Sequence, residues 1–141
     1  MNPRALAISV LSRVQATDAY LNVVLDAKLA ESRQDDARDA ALVTELCYGA
    51  TRRQLALDAA IAAFCDRPLA KLEDRVLAAL RIGAYQMFYT RIPRRAAVAE
   101  TVEGLKELKL QRAAGFVNAI LRKISQAKEL PLPERDRKSV V

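Results

Sequence analysis

Leu72-Glu73-Asp74-Arg75-Val76-Leu77-Ala78-Ala79-Leu80-Arg81-Ile82-Gly83-Ala84-Tyr85-Gln86-Met87-Phe88 contains a periodic apolar block, Leu72, Val76, Leu77, Leu80, Ala84 and Phe88. That spacing repeats every three to four residues, which is the period of an α-helix and not the two-residue alternation of a strand. The segment predicts a helix over about 73–89, with a short turn just before it. It is closed by the connector Thr90-Arg91-Ile92-Pro93.

The same period recurs on both sides. Asn2-Pro3 supplies an N-cap and a first helical residue, and Ala7, Val10, Leu11 and Val14 follow at helical spacing, predicting a helix over 3–15. Leu21, Val24, Leu25 and Leu29 mark a second helix, and Ser32–Asp36 is a polar connector. Asp36, with Asp39 three residues on, suits the start of a third. From there the pattern through Leu42, Val43, Leu46, Leu57, Ile61 and Phe64 reads as one long helix to Cys65, bent near Gly49 and ended by Pro68. Val98, Val102, Leu105 and Leu108 give a further helix, and Phe116, Val117, Ile120, Leu121 and Ile124 the last. No strand pattern and no internal repeat interrupts them. The reading is all-α, a compact bundle of six to seven helices formed by residues 1–129, with 130–141 as a tail or the start of a linker.

Composition agrees. The chain has 141 residues, 52% of them hydrophobic and only 5% aromatic. Helix formers dominate. The longest apolar runs fall well short of the roughly 18 residues that cross a bilayer, and no signal-peptide pattern opens the chain, so the expectation is a cytoplasmic protein without membrane contact.

Several chemistries are excluded. There is no His, and Cys47 and Cys65 stand 18 residues apart with no second Cys near either. A zinc or iron–sulfur site needs more ligands than that, so the two thiols read as small buried side chains and no metal is expected. The four glycines form neither a dinucleotide fingerprint nor a P-loop. Asp35-Asp36 and Glu73-Asp74 sit where helices begin, and capping accounts for them better than acid–base work does. No catalytic residue is assigned, and the chain on its own is not expected to be an enzyme or to hold a cofactor.

Charge is uneven. Residues 1–90 carry 11 Lys or Arg against 11 Asp or Glu, whereas 91–141 carry 12 against 6, so the net +6 lies in the last third. A localised basic excess suits a phosphate-bearing partner, although a merely solvated basic face has the same composition. The basic groups are Arg52-Arg53, then Arg91, Arg94 and Arg95 around Pro93, then Lys109, Arg112, Arg122 and Lys123 about the last helix. Lys109 and Arg112 flank a helix start, where free N–H groups already favour an anion, and they are the most site-like of these. Two charges interrupt apolar blocks, Arg81 and Glu100. A mutual ion pair across neighbouring helices is the expectation for them, with a partner-binding Arg81 as the alternative.

Leu80-Arg81-Ile82-Gly83-Ala84-Tyr85-Gln86, Ile92-Pro93, Ala97-Val98-Ala99-Glu100-Thr101-Val102-Glu103 and Phe116-Val117-Asn118-Ala119-Ile120-Leu121-Arg122 resemble, in order and spacing, the motifs of the NusB-like family. Within it, Asn2-Pro3-Arg4-Ala5-Leu6-Ala7, Ala19-Tyr20-Leu21-Asn22 and Leu42 to Arg53 are similar to the N-terminal RNA-binding domain of the 16S ribosomal-RNA cytosine-C5 methyltransferases. The free-standing antitermination factor of the family begins with several consecutive arginines, where this chain has Arg4 alone. The resemblance implies the first three helices packed on the last four, and RNA contact, with 16S rRNA as the partner, through Arg4, Lys109 and Arg112. It leaves Arg52, Arg53, Arg94 and Arg95 for RNA or for docking a C-terminal methyltransferase module. That module would bind S-adenosylmethionine and carry the catalytic cysteines. The other readings are an antitermination factor acting with a ribosomal protein on nascent RNA, and a protein-docking bundle.

Overall fold

The computed structural model describes residues 2–32 and 36–127. Among the described residues there are seven α-helices and no strand: α1 (Pro3–Thr17), α2 (Leu21–Ser32), α3 (Ala37–Arg52), α4 (Gln54–Phe64), α5 (Asp74–Tyr89), α6 (Arg94–Glu107) and α7 (Gln111–Ser125). A single 3-10 turn, Leu69–Lys71, precedes α5. The expected tail over 130–141 and the middle of the Ser32–Asp36 connector, including Asp35, lie outside the described residues.

Local capping explains where several helices begin. Asn2 Oδ1 accepts from the Arg4 N–H at 2.7 Å, with Pro3 in the first turn. Asp36 Oδ1 accepts from the Arg38 N–H at 2.8 Å, and Glu73 Oε1 from the Arg75 N–H at 3.4 Å. Helix α1 runs two residues beyond the predicted end and stops at Asp18, which takes the left-handed conformation at φ 56°.

The predicted long third helix is two helices. The break falls at Arg53 (φ −102°, ψ 15°), one turn after Gly49. Gly49 instead lies inside α3, where its missing Cβ admits the Tyr85 ring. The break redirects the apolar stripe: α3 packs on α1 and α5, whereas α4 packs on α5 and α7.

Helix α5 is buried almost continuously from Val76 to Met87 and touches α1, α3, α4, α6 and α7. An element apolar on nearly every side belongs at the centre of a bundle. Helices α1, α2 and α3 pack on one another, α4 joins α5 and α7, and the two groups meet where α1 lies on α5 and α6 and α3 on α5.

Arg81 and Glu100 are not a pair. Arg81 Nε and Nη2 donate to Asp58 Oδ1 and Oδ2 at 2.8 and 2.9 Å, and Glu100 is exposed. Helices α5 and α6 are neighbours as expected, but the rotation of α5 turns position 81 towards α4. Gln86, well round α5 from Arg81, makes the side-chain hydrogen bond to α6, at Thr101.

Candidate nucleic-acid interface

The junction between α6 and α7 is built by the end of one helix. Lys109 N–H donates to the Lys106 carbonyl and Leu110 N–H to the Leu105 carbonyl, each at 3.0 Å, while Lys109 takes φ 67°. This is a Schellman closure with lysine at the left-handed position that glycine usually fills. It leaves Lys109 exposed immediately before α7. Leu110 then precedes α7 and gives its first turn no side-chain acceptor, so that end of the helix keeps its positive partial charge beside Arg112.

The start of α1 is tied to the same region. Asn2 N–H donates to the Glu107 carboxylate at 3.0 Å, and Gly104 lets the α1 backbone lie directly on α6. Arg4 is therefore near this junction, but half-buried. Its Nε donates at 3.0 Å to Gln86 Oε1, and Gln86 Nε2 in turn donates to Thr101 Oγ1 at 2.9 Å and the Ile82 carbonyl at 3.1 Å. Burial pulls the Arg4 guanidinium below its usual pKa, against the opposing pull of the Glu100 and Asp39 carboxylates. Part of Arg4 is thus a structural link joining α1, α5 and α6.

Three residues that sequence reasoning passed over complete the site. Arg67 and Lys71, from the α4–α5 connection, share with Arg112 the rim of a groove of about 480 Å³. Leu72, Val76 and Leu110 contribute apolar lining, and the Phe116 ring lies 4.8 Å beneath the Arg67 guanidinium. Phe116 reads in the sequence as core, whereas here it is half-buried beside the cations. Only the packed fold brings the turn at 69–71 to the start of α7. Glu73 is the one carboxylate in the lining, and its Oε1 accepts from Arg75 Nε at 2.7 Å.

The remaining arginines divide. Arg53 lies 4.8 Å over the Tyr89 ring, which stacks on Tyr85 at 5.6 Å, and exposed Tyr48 and Leu55 occur nearby in the sequence with exposed Arg52. Burial, then the Glu45 carboxylate, pushes the Tyr85 phenol up, against Arg52 and Arg53. Arg94 donates to the carbonyls of Ser125 and Ala127 at the end of α7, and Arg95 is exposed. Among the described residues no group of His, Cys, Asp or Glu could hold a metal ion, and no helix is long and apolar enough to cross a membrane.

Seven helices with α5 at their centre, and cations gathered where α7 begins, define an all-α bundle of the NusB type. The chain belongs to the NusB family, whose model matches residues 1–126. It is 39% identical over its whole length to the ribosomal RNA small subunit methyltransferase B of Pseudomonas putida, and covers 32% of that protein. The protein of the same name from Vibrio cholerae is 40% identical over 92% of this chain, which covers 29% of it. The chain thus spans about a third of the length of these curated relatives. A crystal structure of the antitermination factors NusB and NusE in complex with dsRNA contains a chain with the same fold, at a TM-score of 0.79, covering 89% of this chain and 94% of that one at 20% identity.

Proposed function

We propose that this chain is an RNA-recognition domain that holds small-subunit ribosomal RNA for an S-adenosylmethionine-dependent cytosine-C5 methyltransferase module. The observation that carries the reading is end-to-end similarity to about a third of the Pseudomonas putida rRNA methyltransferase. The antitermination reading has a common fold on its side, but at 20% identity against 39%.

The groove at the start of α7 supplies chemistry that suits the task. Lys109 and Arg112 take backbone phosphates beside the uncapped helix end, Arg67 and Lys71 extend the cationic rim, and the apolar lining with Phe116 receives a sugar or an unstacked base. Arg4 adds its Nη groups, its Nε being committed to Gln86. Arg52 and Arg53, close in sequence to the exposed Tyr48 and Leu55, form a docking face for the module, since aromatic and arginine side chains dominate protein interfaces.

The test is binding of the whole chain to a helical fragment of 16S rRNA and to an unrelated RNA across a salt series. Preferential binding that weakens steeply with salt is expected. The change Arg112→Glu lowers affinity at least tenfold and reduces the salt slope by about one or more counterions. Equal binding of Arg112→Glu and the parent chain overturns the assignment of the groove.

A further inference from the structure

A second basic notch lies where α6 begins and α7 ends. Arg95, from the first turn of α6, and Arg122, from the last turn of α7, line a cavity of about 390 Å³. Asn118, Ser125 and Gln126 add polar groups to its wall, and no carboxylate lines it. Neither arginine has an ion pair among the described residues, and both are exposed.

The end of α7 should oppose an anion here, because terminal carbonyls carry negative partial charge. Arg94 cancels that opposition. Its Nη1 donates to the Ser125 carbonyl at 2.8 Å and the Ala127 carbonyl at 2.6 Å, and its guanidinium lies 4.9 Å over the Phe88 ring. Of two consecutive arginines, the first is consumed in covering the carbonyls and the second lines the notch. Helix α6 adds the favourable sign, since Pro93 gives its first turn no side-chain acceptor.

We propose that the Arg95–Arg122 notch binds a phosphodiester group of the RNA, as an anchor separate from the groove at the start of α7. The proposal rests on the RNA reading above. Planar guanidinium forks grip phosphate through paired N–H···O bonds, and two of them line this one cavity beside Asn118, Ser125 and Gln126, while Val98 and Ala99 give it an apolar wall against which the adjoining sugar can lie. Arg112 and Arg122 are about 15 Å apart along the α7 axis, so a strand held at both has its direction on the domain fixed, which one anchor does not achieve.

The experiment uses the whole chain with three probes, the 16S rRNA fragment, inorganic phosphate and an acidic peptide. The changes Arg95→Ala and Arg122→Ala are each expected to lower RNA affinity about fivefold at low salt and to reduce the salt slope by about one. Both side chains are exposed, so the thermal midpoint stays unchanged. Titration with inorganic phosphate is expected to shift the Nε resonances of Arg95 and Arg122 to saturation and to leave those of Arg94 in place. RNA binding by the parent chain with an unaltered slope in both variants overturns the proposal, whatever phosphate does. Tighter binding of an acidic peptide than of RNA at the notch also overturns it. If the parent chain binds no RNA, the proposed function fails by itself, and the RNA ligand of the notch falls with it. A saturable phosphate shift then still supports an anion site at Arg95 and Arg122, and its absence overturns that too.

Discussion

Gly104 of α6 and Ala5 of α1 meet backbone to backbone, so that a Cβ on residue 104 would stand 2.9 Å from the Ala5 amide nitrogen. A flexible side chain could give way, but a helix backbone can do so only by moving the helix. Gly104→Ala is therefore expected to destabilise the chain by about 1–3 kcal/mol, in spite of the better helix propensity of alanine. Gly115 provides the contrast, because no atom from beyond its own turn of helix lies within 4 Å of its Cβ position. Gly115→Ala is expected to stabilise by about 0.5–1 kcal/mol. Urea unfolding of the two variants checks both signs, and equal midpoints would remove the contact between α1 and α6 as the explanation.

The Arg81–Asp58 fork joins α5 to α4 with both side chains largely enclosed, at 11% and 27% exposure. Removing the guanidinium leaves a carboxylate short of two charge-assisted bonds in a site that water reaches poorly. Arg81→Met is expected to cost about 2 kcal/mol, and Asp58→Asn, which keeps an acceptor, about 1 kcal/mol. The double variant should fall well short of the sum. Additive losses in a double-mutant cycle would show that the two residues act independently.

Cys47 is fully buried at the α1–α3 contact, and burial pushes its thiol up to about 12. Unfolded, the same thiol ionises near its ordinary value of about 8.5. Between those values the unfolded chain has lost the proton and the native chain keeps it, so stability falls as pH rises, by up to about 1.4 kcal/mol per pH unit from this group. Below the lower value the group adds no pH dependence. Cys47→Ala is expected to flatten the decline above pH 9, seen as a smaller loss of thermal midpoint per pH unit than in the parent chain. A thiol reagent at pH 8 should label the partly exposed Cys65 quickly and Cys47 only on unfolding.

Helix starts are legible in this sequence because their signals are local. Asn2-Pro3, Asp36 and Glu73 each lie within a few residues of the N–H groups that they cap. The break at Arg53 carries no such mark, since Arg53-Gln54 contains no breaker and the turn arises from the different faces that α3 and α4 bury. The partner of Arg81 is hidden from the sequence for a related reason: the pattern assigns neighbours, but the rotation of α5 decides which neighbour each side chain meets. Within the candidate site, Lys109 and Arg112 are visible beside a predicted helix start. Arg67 and Lys71 come from a turn some 40 residues earlier and join them only through packing. Arg94 and Arg95 are indistinguishable in sequence, yet about 100° of helix rotation between them sends one to the carbonyls of α7 and the other to the open notch.

Lys109 allows stability and binding to be set against each other. It holds φ 67° at the close of α6, where a residue with a Cβ is strained and glycine is not. If the position served the fold alone, glycine would be the better residue. Lys109→Gly is expected to raise stability by about 1 kcal/mol, because the Leu110 to Leu105 and Lys109 to Lys106 backbone bonds need no side chain. The same change removes an exposed cation from the start of α7 and should lower RNA affinity several-fold, with a salt slope smaller by about one. Lys109→Asn, which tolerates the left-handed conformation but carries no charge, should lose affinity to the same degree with a smaller gain in stability. Thermal unfolding and the RNA salt series, run on the same three proteins, give the answer. A gain in stability with full RNA affinity would assign Lys109 to a strained turn with no part in recognition, and a loss of both would mean that the side chain supports the α6–α7 junction itself.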